Sequence, residues 1–319
     1  MPSAEATRPA LSVRVGIGWS PFEEVDYDGA RFWGAVGQLE EIGFDSLWLS
    51  DSAGLGGMAP LPALAAVAAR TERLKLGTGV LVLPPRNPVL LAREMATIDV
   101  ISGGRLLPAV GLGISLPEEL AAMGVAREER VARLEESVTI IKELWRGEPV
   151  TYEGRFWSLD GLALRPRPVR PKLELWLAGQ VPAALRRIGR LGDGWIGSFV
   201  GPEEFAAMVA TIRDAADAAG RQIDDDHYGT TLFAAPSEDE LPAAARRLLE
   251  RRPELARADH IAFGAAELRA LLGRFVAAGA QKFVVIPVAR DLSAWLPELW
   301  AEAVEPVESN PESAGRGEL

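Results

Sequence analysis

The sequence predicts an α/β protein built as a (β/α)₈ TIM barrel, with an insertion after strand 4 and a longer segment between strands 7 and 8. Short apolar runs alternate with amphipathic helical segments along the chain. The first four runs begin near residues 13, 46, 74 and 106, a spacing of about 30 residues that is typical of βα units. Nearly all the runs lack polar alternation, as strands buried on both faces do. Eight such units favour a closed barrel over the alternative, an open doubly wound sheet.

Four units precede the insertion. Val13–Gly18 is the first predicted strand, and the helix over Asp28–Ile42 follows it, with Asp28 as N-cap and Gly43 as the stop. The other elements of this half are a strand at Ser46–Ser50, a helix at Pro60–Arg70, a strand at Leu74–Leu83, a helix from Asn87 to Gly103 and a strand at Leu106–Gly113.

The period breaks after Gly113. Glu118–Arg146 is predicted to form one long helix or two joined helices, and Thr151–Pro171 an extended insertion punctuated by prolines. Ser237 and Glu240 form a capping box that predicts a helix start. The remaining elements are strands at Leu173–Leu177, Gly194–Phe199, His227–Ala234 and Lys282–Val288, and helices at Pro182–Leu191, Pro202–Ala219, Glu267–Ala278 and Leu292–Trp300.

Composition narrows the class of protein. The 319 residues carry a net charge of −11, which argues against nucleic acid or an anionic membrane as a partner. The chain has no cysteine, which excludes disulfides and thiolate chemistry. It lacks a recognisable signal peptide or an apolar stretch long enough to cross a bilayer, so we expect a cytoplasmic protein. We expect one domain over residues 12–305, between a flexible N-terminus (1–11) and a flexible tail (306–319).

Barrel active sites lie on the loops that follow the strands, and the residues there exclude several chemistries. Three of the four lysines fall at strand starts and Lys142 on a helix, which makes a Schiff-base mechanism a poor fit. His227 and His260 are the only histidines, too few for a binuclear metal hydrolase, so we expect no catalytic metal. What remains is a rim rich in glycine, which suits a large planar cofactor because glycine permits close approach.

Two short segments are candidates for binding a phosphate. Ala178-Gly179-Gln180 runs into a helix that starts near Pro182, and free N–H groups at a helix start attract anions. The segment Gly192–Trp195 (GDGW) lies at the far end of that helix, and folding is expected to bring it near the same group. Taken alone, either segment is equally well explained as a tight turn.

The combination of motifs is more specific than each part. LGTGVLVLPPRNPVLLAREMATIDVISGGR (76–105), VGLG (110–113), ALRRIGRLGDGWI (184–196) and LEEIGFDSLWLSD (39–51) together resemble the luciferase-like flavin-dependent oxidoreductases, also called luciferase-like monooxygenases. The resemblance covers roughly residues 13 to 288. It implies a TIM barrel that binds either coenzyme F420, a 5-deazaflavin restricted to hydride transfer, or FMN, often with oxygen.

The resemblance also implies the site. In the deazaflavin branch a bulge with a non-prolyl cis peptide backs the ring, and here it falls at Gly79–Val80. Asp51 and Ser52 are the candidate catalytic residues, although many relatives have histidine where this chain has Ser52. Trp19 is a candidate wall of the substrate pocket. The candidate cofactor-binding residues are Asp51, Gly79, Val80, Gly111, Leu112, Gly113, Ala178, Gly179, Gln180, Gly194 and Trp195.

Three functions remain open from the sequence. The first is an F420-dependent oxidoreductase that passes a hydride between the cofactor and a small organic substrate. The second is an FMN-dependent monooxygenase or reductase of the same fold. The third is a non-catalytic barrel that binds the cofactor, which gains weight from Ser52 in place of the histidine. Several deazaflavin dehydrogenases also carry a glutamate where this chain has Ile114 and Ser115, so the usual acid/base pair is missing. Relatives of this kind are often dimers, so a homodimer is also expected.

Overall fold

A computed structural model describes residues 13–19, 29–51, 57–113, 117–241, 246 and 256–308. Its strands are β1 Arg14–Trp19, β2 Ser46–Leu49, β3 Lys75–Thr78, β4 Leu81–Val82, β5 Leu106–Leu107, β6 Ala109–Gly111, β7 Val150–Glu153, β8 Ser158–Leu162, β9 Trp176–Ala178, β10 Gly194–Ser198, β11 Tyr228–Ala235, β12 Ile261–Phe263 and β13 Lys282–Pro287. Its helices are α1 Gly29–Ile42, α2 Pro60–Ala68, α3 Pro88–Ser102, α4 Pro117–Ala122, α5 Arg130–Arg146, α6 Pro182–Leu191, α7 Pro202–Ala218, α8 Gly264–Ala277 and α9 Leu292–Glu298, the last continued by a π-helix at Leu299–Val304.

Parallel strands alternate with helices and form one curled sheet, as in TIM-barrel-like folds. The order along the sheet is β4-β6-β9-β10-β11-β13-β1-β2-β3-β5, and β12 pairs with β11. All ladders within this sheet are parallel, and β3 pairs with β5 while β4 pairs with β6. The predicted third strand is thus interrupted at Gly79–Val80, and the predicted fourth at Pro108, which has no N–H to donate.

The interior of the sheet is filled by two tryptophans. Trp48 and Trp176 are buried, and they pack with Ala109, Ile196 and Val284. Glycines on neighbouring strands make room for them. A Cβ on Gly77 would overlap the Trp48 ring, and a Cβ on Gly194 would lie 2.5 Å from the Trp176 ring. Large rings on one strand therefore require glycine on the next.

Ionic contacts concentrate at the amino ends of the strands. Lys282 and Lys75, at the starts of β13 and β3, both pair with Asp45. Burial raises the pKa of the Asp45 carboxyl, but the two lysines outweigh that effect and hold it below its usual range. Lys142 pairs with the buried Asp193 at 2.8 Å. Lys75 and Lys282 thus lie at strand starts and Lys142 on a helix, as predicted. All three form ion pairs at the edge opposite the strand ends that carry the expected site.

The structure defines the predicted elements of the second half more closely. The segment before Arg146 forms two helices, α4 and α5, joined by a 3₁₀ turn, which is one of the two predicted alternatives. The insertion contains an antiparallel hairpin of β7 and β8. The capping box was wrong in its contact: Ser237 precedes a 3₁₀ turn at Glu238–Glu240 and makes no side-chain cap bond there, while the Glu240 carboxylate accepts from the Arg290 backbone N–H at 3.0 Å. Asp28 lies outside the described residues.

The end of the described chain closes onto the first strand. Glu308 accepts a hydrogen bond from the Val15 N–H at 2.9 Å, although sequence analysis assigned it to the flexible tail. The pKa of the Glu308 carboxyl is raised to about 7. Burial is the main cause, the negative charge of the nearby Asp45 adds to it, and the hydrogen bond from the Val15 N–H opposes it. Contacts of the domain therefore extend at least to this residue.

Among the helices of the described residues, none combines the length and apolar character needed to span a bilayer.

Candidate functional site

The carboxyl ends of the strands bring three of the predicted glycine segments together. Gly79–Val80 lies between β3 and β4, Gly111 ends β6, and Ala178 ends β9. A Cβ on Gly111 would lie 3.0 Å from Val80 Cγ2 and 3.5 Å from the Ala178 Cβ. Because these residues come from three neighbouring strands, they form a continuous rim with small side chains.

The connection between β3 and β4 contains the predicted non-prolyl cis peptide, Gly79–Val80, so that prediction is confirmed. Backbone and side-chain bonds fix the segment on both sides. The Gly79 N–H donates to the Leu49 carbonyl at 2.8 Å, and the Ser50 hydroxyl donates to the Gly79 carbonyl at 2.9 Å. The role of this segment as support for a cofactor ring remains a prediction.

Asp51 follows β2 and holds the chain beyond the break. One oxygen of its carboxylate accepts from the Val82 N–H at 2.9 Å and from Arg86 Nη2 at 2.8 Å. Arg86 also donates to the Val82 carbonyl at 3.1 Å. The Asp51 side chain is 15% exposed. A carboxylate held by two donors orients the strand end. Asp51 is therefore better suited to positioning this segment than to accepting a proton.

The turn after β6 is secured by an arginine that sequence analysis missed. Arg130, at the start of α5, donates to the carbonyls of Leu112 at 2.5 Å and Gly113 at 2.9 Å. Gly113 has a positive φ of 72°, and a Cβ there would lie 2.8 Å from Val82. Arg130 lies in a run of charged residues, 128–133, a pattern that is typical of a solvated helix face, and yet it is only 5% exposed. Burial distinguishes Arg130 from the other charged residues of the run, and the charge pattern of the sequence does not show burial.

The turn after β9 approaches the start of α6. Gly179 adopts a φ of +150°, and a Cβ there would lie 2.6 Å from the Ala184 Cβ, so glycine is required by both backbone and space. The Trp195 indole N–H donates to the Gly179 carbonyl at 2.9 Å. The Trp195 ring is fully buried and stacks on Phe205, 5.1 Å between centroids. Trp195 therefore holds this turn in place through its hydrogen bond to the Gly179 carbonyl.

Other predicted residues lie apart from this rim or outside the described part of the chain. Gly194 begins β10, two positions before Ile196, which pairs with Ala178. It therefore belongs to the amino-end half of the sheet, against the Trp176 ring, and does not reach the Gly179 turn. Trp19 is 8% exposed and packs edge-on against Phe32 at 5.2 Å. Ser52, Ile114 and Ser115 are not among the described residues.

An apolar cluster at the carboxyl ends of β10 to β13 also escaped sequence analysis. Phe199, with a positive φ of 54°, lies 5.5 Å from Phe233. The same cluster contains Ile286 and Val288, and Phe263 packs against it. These residues appear in the sequence as ordinary strand hydrophobics, and nothing in their spacing indicates that they gather beside the expected site.

Comparison with known proteins places the chain in a family. The model of the luciferase-like monooxygenase family matches residues 26–308, so the chain belongs to that family. Curated relatives include an F420-dependent glucose-6-phosphate dehydrogenase of Nakamurella multipartita, 40% identical over 198 residues that make up 58% of each chain. Another, of the same name and from Kribbella flavida, is 36% identical over 74% of this chain and 72% of its own. The chain thus spans less than two thirds of the first of these.

Solved structures agree on the fold at low sequence identity. An F420-dependent secondary alcohol dehydrogenase, in complex with an F420-acetone adduct, has a TM-score of 0.77 at 19% identity and covers 93% of this chain and all of its own. The coenzyme F420 dependent tetrahydromethanopterin reductase of Methanopyrus kandleri has a TM-score of 0.73 at 20% identity, with 93% of this chain and 99% of its own covered. Identities this low support the fold alone.

Proposed function

We propose that this protein is an F420-dependent oxidoreductase that transfers a hydride between the deazaflavin and a small organic substrate. The observation that carries the proposal is the rim of Val80, Gly111 and Ala178, where a Cβ on Gly111 would fill space at the meeting of three strand ends. A rim without large side chains fits a planar ring against the backbone. The curated relatives, named as F420-dependent dehydrogenases, support this cofactor over FMN.

The residues present would divide the work as follows. The segment 79–80 and Gly111 would lie against the ring, and the Gly179 turn with the start of α6 would hold the anionic tail, since the positive end of a helix favours phosphate. When bound, the deazaflavin supplies hydride transfer at a single carbon. Asp51 and Arg86 fix the strand end behind the ring, and Arg130 fixes the turn after β6. The apolar cluster around Phe199 and Phe233 would keep water away from the reacting carbon.

Three further features belong to the same proposal. The curled sheet is proposed to close as an eight-unit barrel, supported by the parallel pairing of β13 with β1 and of β4 with β6. The protein is proposed to work in the cytoplasm as one domain that begins near residue 12 and extends past the expected boundary at 305 to at least Glu308. A homodimer is proposed through α3, where Leu90 and Ile101, three turns apart, are 50% and 52% exposed beside a cavity of about 440 Å³ between α2 and α3.

The cofactor test uses the full chain titrated separately with F420 and FMN and followed by quenching of tryptophan fluorescence. We expect saturable F420 binding and, with glucose 6-phosphate as the first substrate tried, loss of the oxidised cofactor's absorbance. Gly111→Val should abolish F420 binding while leaving the circular dichroism spectrum intact. Gly273→Ala is the control, since a Cβ there on α8 meets nothing within 4 Å.

The outcomes separate the three functions. Tight FMN binding with no F420 binding would overturn the proposal and favour the FMN-dependent monooxygenase or reductase. F420 binding without hydride exchange from a panel of sugar phosphates and alcohols would favour the non-catalytic barrel. Sedimentation of the wild type and of Ile101→Asp tests the dimer: a wild type that sediments as a monomer contradicts it.

A further inference from the structure

A group of ligand-type side chains lies at the amino-end edge of the sheet, away from the cofactor rim. Glu174, Asp224 and His227 each offer one atom, and these atoms all lie within 4.8 Å of one another. His227 Nε2 is 3.4 Å from Glu174 Oε2. None of these residues takes part in the function proposed above.

The fold places the three side chains together for identifiable reasons. Asp225–His227 forms a 3₁₀ turn with Asp224 as its N-cap, and 3₁₀ geometry brings side chains three positions apart to the same side. Glu174 lies just before β9, and His227 just before β11. Strand β10 lies between them and pairs with both neighbours, so the two strand starts flank the same point on the edge.

The orientation of the His227 ring points to a cation. Its Nδ1 lies 2.8 Å from the Asp193 backbone carbonyl, which only accepts, so Nδ1 carries the hydrogen. Nε2 then turns its remaining position toward the carboxylates. A neutral Nε2 lone pair facing carboxylate oxygens is repelled unless a proton or a metal ion lies between them. A ring N–H donated to a carbonyl is also the usual arrangement of a metal-bound histidine.

The carbonyl that orients His227 is itself held firmly. The Asp193 carboxylate accepts from the Leu175 N–H at 3.1 Å and pairs with Lys142 at 2.8 Å and Arg221 at 3.2 Å. Its charge is therefore taken up by these cations, and only its backbone oxygen serves the histidine. Glu174 and Asp224 lie at the edge, where solvent reaches them: the Glu174 side chain is 26% exposed and that of His227 13%.

We propose that Glu174, Asp224 and His227 bind one divalent transition-metal ion, with Zn²⁺ as the representative case. One imidazole nitrogen and two carboxylate oxygens suit zinc and its neighbours better than Ca²⁺ or Mg²⁺, which favour sites made wholly of oxygen. Water completes the coordination at the exposed side. The ion ties the start of β9 to the start of β11 and stabilises this edge, so its role is structural. The competing explanation is a protonated His227 paired with Glu174 and with Asp226 at 3.7 Å.

Cobalt provides the direct measurement. The untagged full chain, freed of metal with a chelator that is then removed, is titrated with Co²⁺ and followed by visible d–d absorption. We expect one ion per chain, displacement by Zn²⁺, and a rise in melting temperature with Zn²⁺. His227→Asn and Glu174→Gln should each weaken the affinity about tenfold or more. Asp214→Asn, which alters an exposed carboxylate on α7, is the matched control and should bind as the wild type.

Each outcome decides the proposal. Binding that is not saturable at one ion per chain overturns it. Equal affinity in the wild type and His227→Asn also overturns it, provided circular dichroism finds the variant folded. If His227→Asn does not fold, Glu174→Gln gives the answer, since it retains the shape of the side chain. No absorption from Co²⁺ in the wild type leaves the ion pair as the explanation.

Discussion

Trp195→Phe isolates the hydrogen bond that ties the core to the Gly179 turn. Phenylalanine retains a ring to stack on Phe205 but removes the indole N–H that donates to the Gly179 carbonyl at 2.9 Å. Leaving a fully buried carbonyl without its donor costs about 1–3 kcal/mol, and the half-buried Gly179 carbonyl should lie toward the lower end of that range. Part of that loss should fall on the turn that binds the cofactor tail, so we expect the Kd for F420 to rise about tenfold, equivalent to roughly 1.4 kcal/mol.

A second tryptophan supplies the control. The Trp145 indole N–H donates to the Ala92 carbonyl at 3.0 Å in a buried site on α5, and Trp145→Phe removes an equivalent bond. Both variants should lose stability in urea denaturation, and Trp145→Phe should lose at least as much, because its bond is fully buried while that of Trp195 is part-buried. Only Trp195→Phe should weaken F420 binding, measured by calorimetry so that the lost fluorophore does not matter. Equal F420 affinity in the two variants would refute the reasoning that Trp195 positions the turn.

Three other predictions follow from the contacts around the site and the amino-end edge. Asp51→Asn retains an acceptor for Val82 but loses the charge opposite Arg86. We therefore expect a stability loss of about 1 kcal/mol and less than a tenfold fall in kcat, whereas a hundredfold fall, typical of a lost general base, would contradict a positioning role. Gly111→Ala places a Cβ 3.0 Å from Val80, so F420 affinity should fall about tenfold while the melting temperature moves little, as checked by calorimetry and thermal unfolding. The raised pKa of Glu308 favours its neutral form in the folded protein, so its contribution is full below pH 4.5 and is lost as the pH rises through about 7. A pKa displaced from 4.5 to about 7 corresponds to roughly 3 kcal/mol, so Glu308→Gln should remove up to that much of the stability lost between pH 5 and 8 in urea titrations; an unchanged pH dependence would contradict it.

The sequence predicted the repeating framework because hydrophobic periodicity reports burial directly. Most strands and helices lie where the apolar runs placed them, and the break at Gly79–Val80 lies where the family resemblance implied it. Short sequence motifs predicted hydrogen bonds less well, because a side chain can bond to a residue far away in the chain in place of the neighbour that the motif implies. The capping box at Ser237 failed because Glu240 pairs with the Arg290 backbone, a residue 50 positions away. Spacing cannot anticipate a partner so distant in the chain.

The candidate site was predictable in part for the same reason. Glycine at strand ends marked the rim, since backbone exposure follows from the missing side chain. Arg130 was missed because a charged residue beside other charges looks solvated, and only the folded chain brings the Leu112 and Gly113 carbonyls to it. Gly194 was assigned to the rim from its motif. It is, however, the first residue of β10 and pairs with Trp176, the first residue of β9, so it lies at the edge opposite Ala178, which ends β9.

The fit of Trp48 against Gly77 has a consequence for how this interior can change. Neither position tolerates substitution on its own: a side chain at 77 collides with the indole, and a small residue at 48 leaves a void. Acceptable alternatives require both to change in the same step. Libraries that vary one strand at a time would therefore report a rigid, intolerant interior, while libraries that vary positions 48 and 77 together should recover folded combinations. The same coupling joins Trp176 to Gly194, so sequence variation in this family should occur in pairs across neighbouring strands.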